Sequence, residues 1–387
     1  MPTARLSFKT KMKKYIRNAK IITDGKIVED IGVIIENGKI VSFESECPDN
    51  CAAIDLQGKY LAPGFIELHC HGGNGYEFID GTEEAVRGAC ELHAAHGTKV
   101  LYPTISATDY DTMYQALGVI EAVKDDLPLC VPGVHLEGPY LSPEMSGAQN
   151  GNIIRMPDPD EYNALYERFG SLIKRWDYAP EKDKDGKFLT FLTERGIVPA
   201  TAHSAAQYDD MLSSYNGGNR LVTHLYSCTS TVVREGGFRR LGIIESTFLL
   251  DGMYAEVIGD GCHLPAELMR MIYKIKGADK LCLISDAIRY AGCDGSDLKY
   301  DGEIPYVIED GVAKLADRSA FAGSIATADC LVKKTVEAGI PLPDVIQMLT
   351  KTPAEVMGLD TKGRIAVGYD ADFTVLDEDL NVCSNIL

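Results

Sequence analysis

The sequence predicts an α/β chain, a (β/α)8 barrel carrying a small β-sandwich formed from both chain ends. Three observations predict it. Apolar strand-like runs alternate with helical stretches over about three hundred residues of the middle. Short strand–turn–strand units fill both ends. Most histidines fall at the ends of the apolar runs, where barrel strands open onto one mouth. An open doubly wound sheet is the competing arrangement. No Gly-x-Gly-x-x-Gly segment opens the first strand–helix unit, which disfavours a dinucleotide-binding version of it.

Residues 13–60 with 362–387 are expected to form the sandwich, and 61–361 the barrel. Ile21-Ile22, Thr23-Asp24-Gly25 and Lys26-Ile27-Val28 read as strand, turn and strand. Residues 31–35 and 39–43 repeat the unit around an Asn37-Gly38 turn. The texture returns at residues 363–365, 368–370 and 372–376. Barrel strands are expected at residues 65–70, 99–105, 129–136, 197–203, 221–225, 254–258 and 281–285, with an eighth near 320–322. Helices are expected at 83–96, 110–123 and 265–275.

A net charge of −19 over 387 residues argues against nucleic acid as a partner, since that needs a basic face. The same field repels anions, so a bound phosphate requires a local basic site. No apolar run is long enough to span a bilayer. The segment MPTARLSFKTKMKKYIRNAKII is basic but has no apolar signal core, so no secretory peptide is expected; Met12 is an alternative start. Eleven cysteines without Cys-x-x-Cys spacing fit thiols in a reducing cytoplasm.

The polar residues at the strand ends carry the chemistry. They occur in His69-Cys70-His71, His135-Leu136-Glu137-Gly138-Pro139, Ala202-His203-Ser204, Thr223-His224-Leu225, Asp260-Gly261-Cys262-His263 and Ser285-Asp286-Ala287. Six of the eight histidines lie there; His93 and His96 share a helix and read as structural. His-x-His on a strand puts both imidazoles on one side. Glu137 stands in an apolar run, and a buried carboxylate requires a cation or a strong hydrogen-bond set. Glu137, His203 and His224 form an N,N,O set suited to zinc or a similar divalent ion with open positions. His135 is expected on the face away from His71, as a supporting or core residue. Asp286 suits a helix cap or, at the mouth, a catalytic role.

With the strings APGFIELHCHGG, HLEGPYLSPEMSGAQN, TAHS, VTHLY, IGDGCHLP, LCLISDA and FAGS, the chain resembles the amidohydrolase superfamily from about Ala19 to Leu376. Within it, the chain is most similar to the N-acetylglucosamine-6-phosphate deacetylase family. The resemblance implies a hydrolase that removes an N-acetyl group from an amino-sugar phosphate. Glu137, His203 and His224 would hold a main divalent metal, zinc first and Fe2+, Mn2+ or Co2+ as alternatives. His69 and His71, with Glu137 and Asp286, would hold a second ion, so that each subunit carries one or two. Asp286 would be the general base and acid. Ala148, Gln149, Ser227, Cys228, Arg234 and His263 would contact the sugar phosphate, with Phe321, Ala322 and Gly323 lining the pocket. The resemblance also implies a homodimer, in which Arg234 reaches the phosphate of the partner subunit. One departure stands out. After Thr223-His224-Leu225-Tyr226 the family reads Asn-Ala-Met, whereas this chain has Ser227-Cys228-Thr229 and lacks that Asn amide. Two other readings stay open at this level. One is an amidohydrolase acting on a different N-acyl amino sugar or a cyclic amide, although no strand-end lysine is present to bridge two metals. The other is a sugar-phosphate-binding barrel without catalysis.

Overall fold

The computed structural model describes residues 13–49, 51–293, 299–300 and 304–383. Residues 1–12, with Met12 and most of the basic lead-in, and residues 384–387 lie outside the described residues.

Eight strands form one parallel sheet in chain order: β1 Phe65–Cys70, β2 Thr98–Ser106, β3 Val134–Glu137, β4 Ile173–Tyr178, β5 Val198–Thr201, β6 Leu221–Val222, β7 Tyr254–Ile258 and β8 Leu281–Ile284. The chain just past β8 meets β1 and closes the barrel. The Asp286 N–H donates to His69 O at 3.0 Å and the His71 N–H to Ala287 O at 2.8 Å. Every residue of β1 and of β8 is buried, as expected for strands covered on both faces. Helices at Glu83–Ala95, Tyr110–Val123 and Ala266–Lys276 match the expected ones to within a residue or so at each end.

The expected strand set needs three corrections. β4 was not anticipated, because its sequence IKRWDY alternates charge with apolar side chains instead of running apolar. Its Arg175 and Asp177 are fully buried and pair with each other, which lets two charges occupy a strand interior. The segment at 320–322 is not a barrel strand. Phe321 makes a single bridge to Lys314, on the last strand of a separate sheet of Lys299–Tyr300, Tyr306–Glu309 and Val312–Leu315. The expected strand at 129–136 begins only at Val134, after Pro132, which has no N–H for a ladder.

The strand ends matter most. β5, β6 and β8 stop at Thr201, Val222 and Ile284, two residues short of His203, His224 and Asp286. All three of those residues have left-handed backbone, with φ of 41°, 30° and 49°. That conformation costs a non-glycine residue about 1–2 kcal/mol.

Two four-stranded sheets pack outside the barrel. One runs Lys39–Glu44, Gly32–Glu36, Lys13–Arg17, Cys51–Asp55; the other Phe373–Leu376, Tyr60–Pro63, Lys20–Thr23, Lys26–Val28. Asp24-Gly25 and Asn37-Gly38 turn two of these hairpins with positive φ at both positions, the geometry that matches strand twist. Ile16, Ile21, Val33, Leu61, Ile365 and Val375 form their shared apolar core. Residues 363–365 form no strand, although Ile365 enters that core.

Candidate metal centre

Glu137 is the last residue of β3, and its carboxylate stands at the barrel axis, 2 % exposed. Period-two alternation puts His135 on the same face, one layer below, with its ring 4.8 Å from that of His69. This corrects the expected orientation of His135, which points into the barrel interior rather than away from the His69-x-His71 pair.

Around Glu137 the histidines converge. Its Oε1 lies 3.1 Å from His203 Nε2, 3.0 Å from His224 Nε2 and 3.7 Å from His69 Nε2. Its Oε2 lies 3.4 Å from His71 Nε2. Asp286 Oδ1 is 3.4 Å from His69 Nε2 and 3.3 Å from His71 Nε2. The Nε2 atoms of His69 and His71 face each other at 3.1 Å.

Such a cluster holds together only if positive charge sits among its members. Burial raises the Glu137 carboxyl, but His69, His203 and His224 outweigh it and hold the group well below the usual carboxylate range. Asp286 is likewise brought down to about 2 by His69 and His71 against its burial. Burial lowers His71, and the Asp286 and Glu137 carboxylates reverse that and push it up to about 9. The hydrogen bonds identify which nitrogen is free. His203 Nδ1 is 2.9 Å from Met145 O and His224 Nδ1 is 3.1 Å from Ser227 O. A carbonyl only accepts, so each Nδ1 carries a proton, and in the neutral ring each Nε2 presents a lone pair toward Glu137. Lone pairs facing a carboxylate at 3 Å repel unless a cation lies between them, so the donor set fits a divalent ion. Compact donor groups recur here: His69 with Glu137 and His224, and His69 with His71 and Asp286.

A cavity of about 460 Å³ opens above these groups. Its lining includes Ala148, Gln149, Ser227, Cys228, His263, Phe321, Ala322 and Gly323, with His71, Glu137, His203, His224 and Asp286 at the polar end. Gln149 is locked: its Nε2 donates to Glu137 Oε2 at 2.6 Å and its Oε1 accepts from the Ala107 N–H at 3.1 Å. His263 Nδ1 is pinned to Asp260 Oδ2 at 2.7 Å, and the ring stands edge-on to Phe321. Gly323 has φ of 104°, and a Cβ there would lie 2.7 Å from Ile288 and 3.1 Å from Asp286 O. Burial raises the Cys228 thiol, but His203 and His224 bring it below its ordinary value.

Arg234 is not among the residues lining the cavity. It belongs to an exposed hairpin, Val233–Glu235 with Phe238–Arg240, on which Phe238 is 74 % exposed. Sequence reasoning also missed residues that support the centre. Ser106 Oγ is 2.9 Å from His71 Nδ1. Glu67 accepts the His69 N–H and Ser285 N–H at 3.1 Å each, and burial pushes it up to about 8. Arg175, Asp177 and Glu256 fill the barrel below His69. A charged residue at an alternate position of a short strand was the available signal, in FIELHC, IKRWDY and YAEVI.

The Amidohydrolase family pattern matches residues 60–385. This chain belongs to the amidohydrolase family. It is 30 % identical over 370 residues to the N-acetylglucosamine-6-phosphate deacetylase of Lysinibacillus sphaericus, covering 94 % of each chain. Among solved structures it resembles the deacetylase of the same name from Pasteurella multocida, with a TM-score of 0.88 and 29 % identity over 96 % of this chain and 97 % of that one. It also resembles a mutant of the Mycobacterium smegmatis enzyme in complex with N-acetyl-D-glucosamine-6-phosphate, with a TM-score of 0.87 and 26 % identity over 96 % and 97 %. Among the described residues no helix is long and apolar enough to cross a membrane.

Proposed function

We propose that this chain is a divalent-metal-dependent deacetylase that hydrolyses N-acetylglucosamine 6-phosphate to glucosamine 6-phosphate and acetate. The observation that carries the reading is Glu137, within 3.0 to 3.7 Å of four imidazoles and beside Asp286, at the polar end of a cavity suited to a small ligand. The relatives supply the substrate class.

In this reading Glu137, His203 and His224 would hold the main ion, zinc being suited to two imidazoles and a carboxylate, and His69 and His71 a second one. A divalent ion there supplies Lewis acidity, bringing the pKa of a water to about 7 and polarising the acetyl carbonyl. Asp286 is ionised at neutral pH and takes the proton of the attacking water. It then gives that proton to the departing nitrogen, since an amine leaves poorly unless protonated. The pinned His263 ring turns its Nε2 side to the substrate, and the locked Gln149 fixes the Glu137 carboxylate.

The phosphate needs cationic partners, and among the described residues His263 is the one basic side chain lining the cavity besides the histidines of the centre. Arg234 of a second copy, carried on the exposed hairpin beside Arg239 and Arg240, meets that need, so the working form is a homodimer. Zinc-reconstituted protein assayed with N-acetylated hexosamine 6-phosphates and their unphosphorylated forms tests both points. Preference for the 6-phosphate over the free sugar is expected, together with its loss in Arg234→Ala. Equal rates on the two forms reject the phosphate site and leave the metal centre standing. The gluco and galacto epimers in the same assay report what Ser227-Cys228-Thr229 does to specificity.

A further inference from the structure

We infer that Glu256, clamped by Arg175, is a positioning residue that fixes the tautomer and orientation of His69 and so sets the cation affinity of the His69/His71 half. The inference rests on the metal-centre reading above. Three of the four imidazoles have neutral groups behind them: Met145 O for His203, Ser227 O for His224 and Ser106 Oγ for His71. His69 alone backs onto a charge. Its Nδ1 lies 3.7 Å from Glu256 Oε2, and both side chains are fully buried. Among the described residues no hydrogen bond at ordinary distance serves that nitrogen.

An imidazole that offers Nε2 as a ligand carries its proton on Nδ1. Buried from solvent, that proton requires an acceptor, and Glu256, at 3.7 Å, is the carboxylate paired with that nitrogen. Arg175 keeps Glu256 charged and still. Its Nη2 donates to Glu256 Oε2 at 2.8 Å, and its Nη1 donates to Glu256 Oε1. Its remaining N–H groups are taken by Asp177, Thr223 Oγ and Leu68 O. The planar guanidinium therefore cannot swing away, and Oε2 is held 3.7 Å from the Nδ1 of His69. One guanidinium between two carboxylates leaves a negative charge over, and this is what His69 faces. A carboxylate behind a ligating histidine raises its basicity, and removing it costs about 10–100-fold in metal affinity. A purely structural ion pair would instead affect folding and leave the two halves alike.

The test is a titration of metal-stripped protein with zinc alone against a chromophoric chelator, for wild type and Glu256→Gln. Two binding events are expected in wild type. In Glu256→Gln the weaker event should lose about 10–100-fold while the tighter one moves less than about twofold. Both events unchanged, both weakened alike, or a single event in wild type would overturn the inference and spare the Glu137/His203/His224 site. No binding in wild type would remove the metal-centre reading and this inference with it. Should Glu256→Gln not fold, nitrogen-15 spectra of the zinc-loaded wild type decide the matter. His69 protonated on Nδ1 supports the inference, and His69 protonated on Nε2 overturns it.

Discussion

The two halves of the centre hold their imidazoles by different means. His203 and His224 stand two residues beyond their strands, on left-handed backbone, with main-chain carbonyls behind them. His69 lies within β1 and His71 just past its end, and side chains stand behind them, Glu256 for one and Ser106 for the other. A main-chain carbonyl survives substitution of its own residue; a carboxylate or a hydroxyl does not. The first half is therefore set by the path of the chain, and the second can be tuned one side chain at a time.

The largest effect is expected at Glu137, which touches both halves. Glu137→Gln should empty both, seen as loss of bound metal by elemental analysis and at least about a thousandfold loss of turnover. His71→Asn should cost one ion only, and a loss of both would break the distinction between the halves. Asp286→Asn should lower turnover about 10²–10⁴-fold with the Glu137/His203/His224 ion retained; full activity in that variant removes Asp286 from the acid–base role. Ser106→Ala should weaken the ion at His71 by about tenfold and leave the other half unchanged in the zinc titration.

The smallest effect concerns the loop that carries His71. His93 Nε2 lies 3.0 Å from Gly72 O, and burial brings this imidazole down to about 4. Its folded value is below that of the unfolded chain, so its contribution is complete above about pH 6.5 and is lost as pH falls toward 4. Each pKa unit is about 1.4 kcal/mol, so the acid-side loss amounts to a few kcal/mol at most. His93→Gln keeps a donor to Gly72 and should flatten the fall in melting temperature between pH 7 and pH 5; an unchanged slope assigns that fall to other groups.

The barrel and most of the centre were legible in the sequence because they rest on period and punctuation. Apolar runs marked seven of the eight strands, and histidines at their ends marked the mouth. β4 was illegible for a physical reason. A run containing Lys174, Arg175 and Asp177 reads as solvent-facing until the partners that neutralise it are known, and Glu256 is on another strand. Strand ends were overrun at His203 and His224 because pattern reports burial, while a change to positive φ leaves burial intact. Arg234 was assigned to the sugar phosphate only through resemblance, and in this subunit it stands on the exposed hairpin instead of at the cavity.

Phe373–Leu376 zips antiparallel onto Tyr60–Pro63, whose last residue is separated from β1 by Gly64 alone. On a ribosome, Tyr60–Pro63 emerges early and waits for almost the whole chain before this neighbour exists. Until then it offers a half-paired edge, the kind of surface that seeds association between nascent chains. All the donors of the centre, from His69 to Asp286, are synthesised within that interval. The order of synthesis thus allows the barrel to close around its cation before the sandwich is sealed.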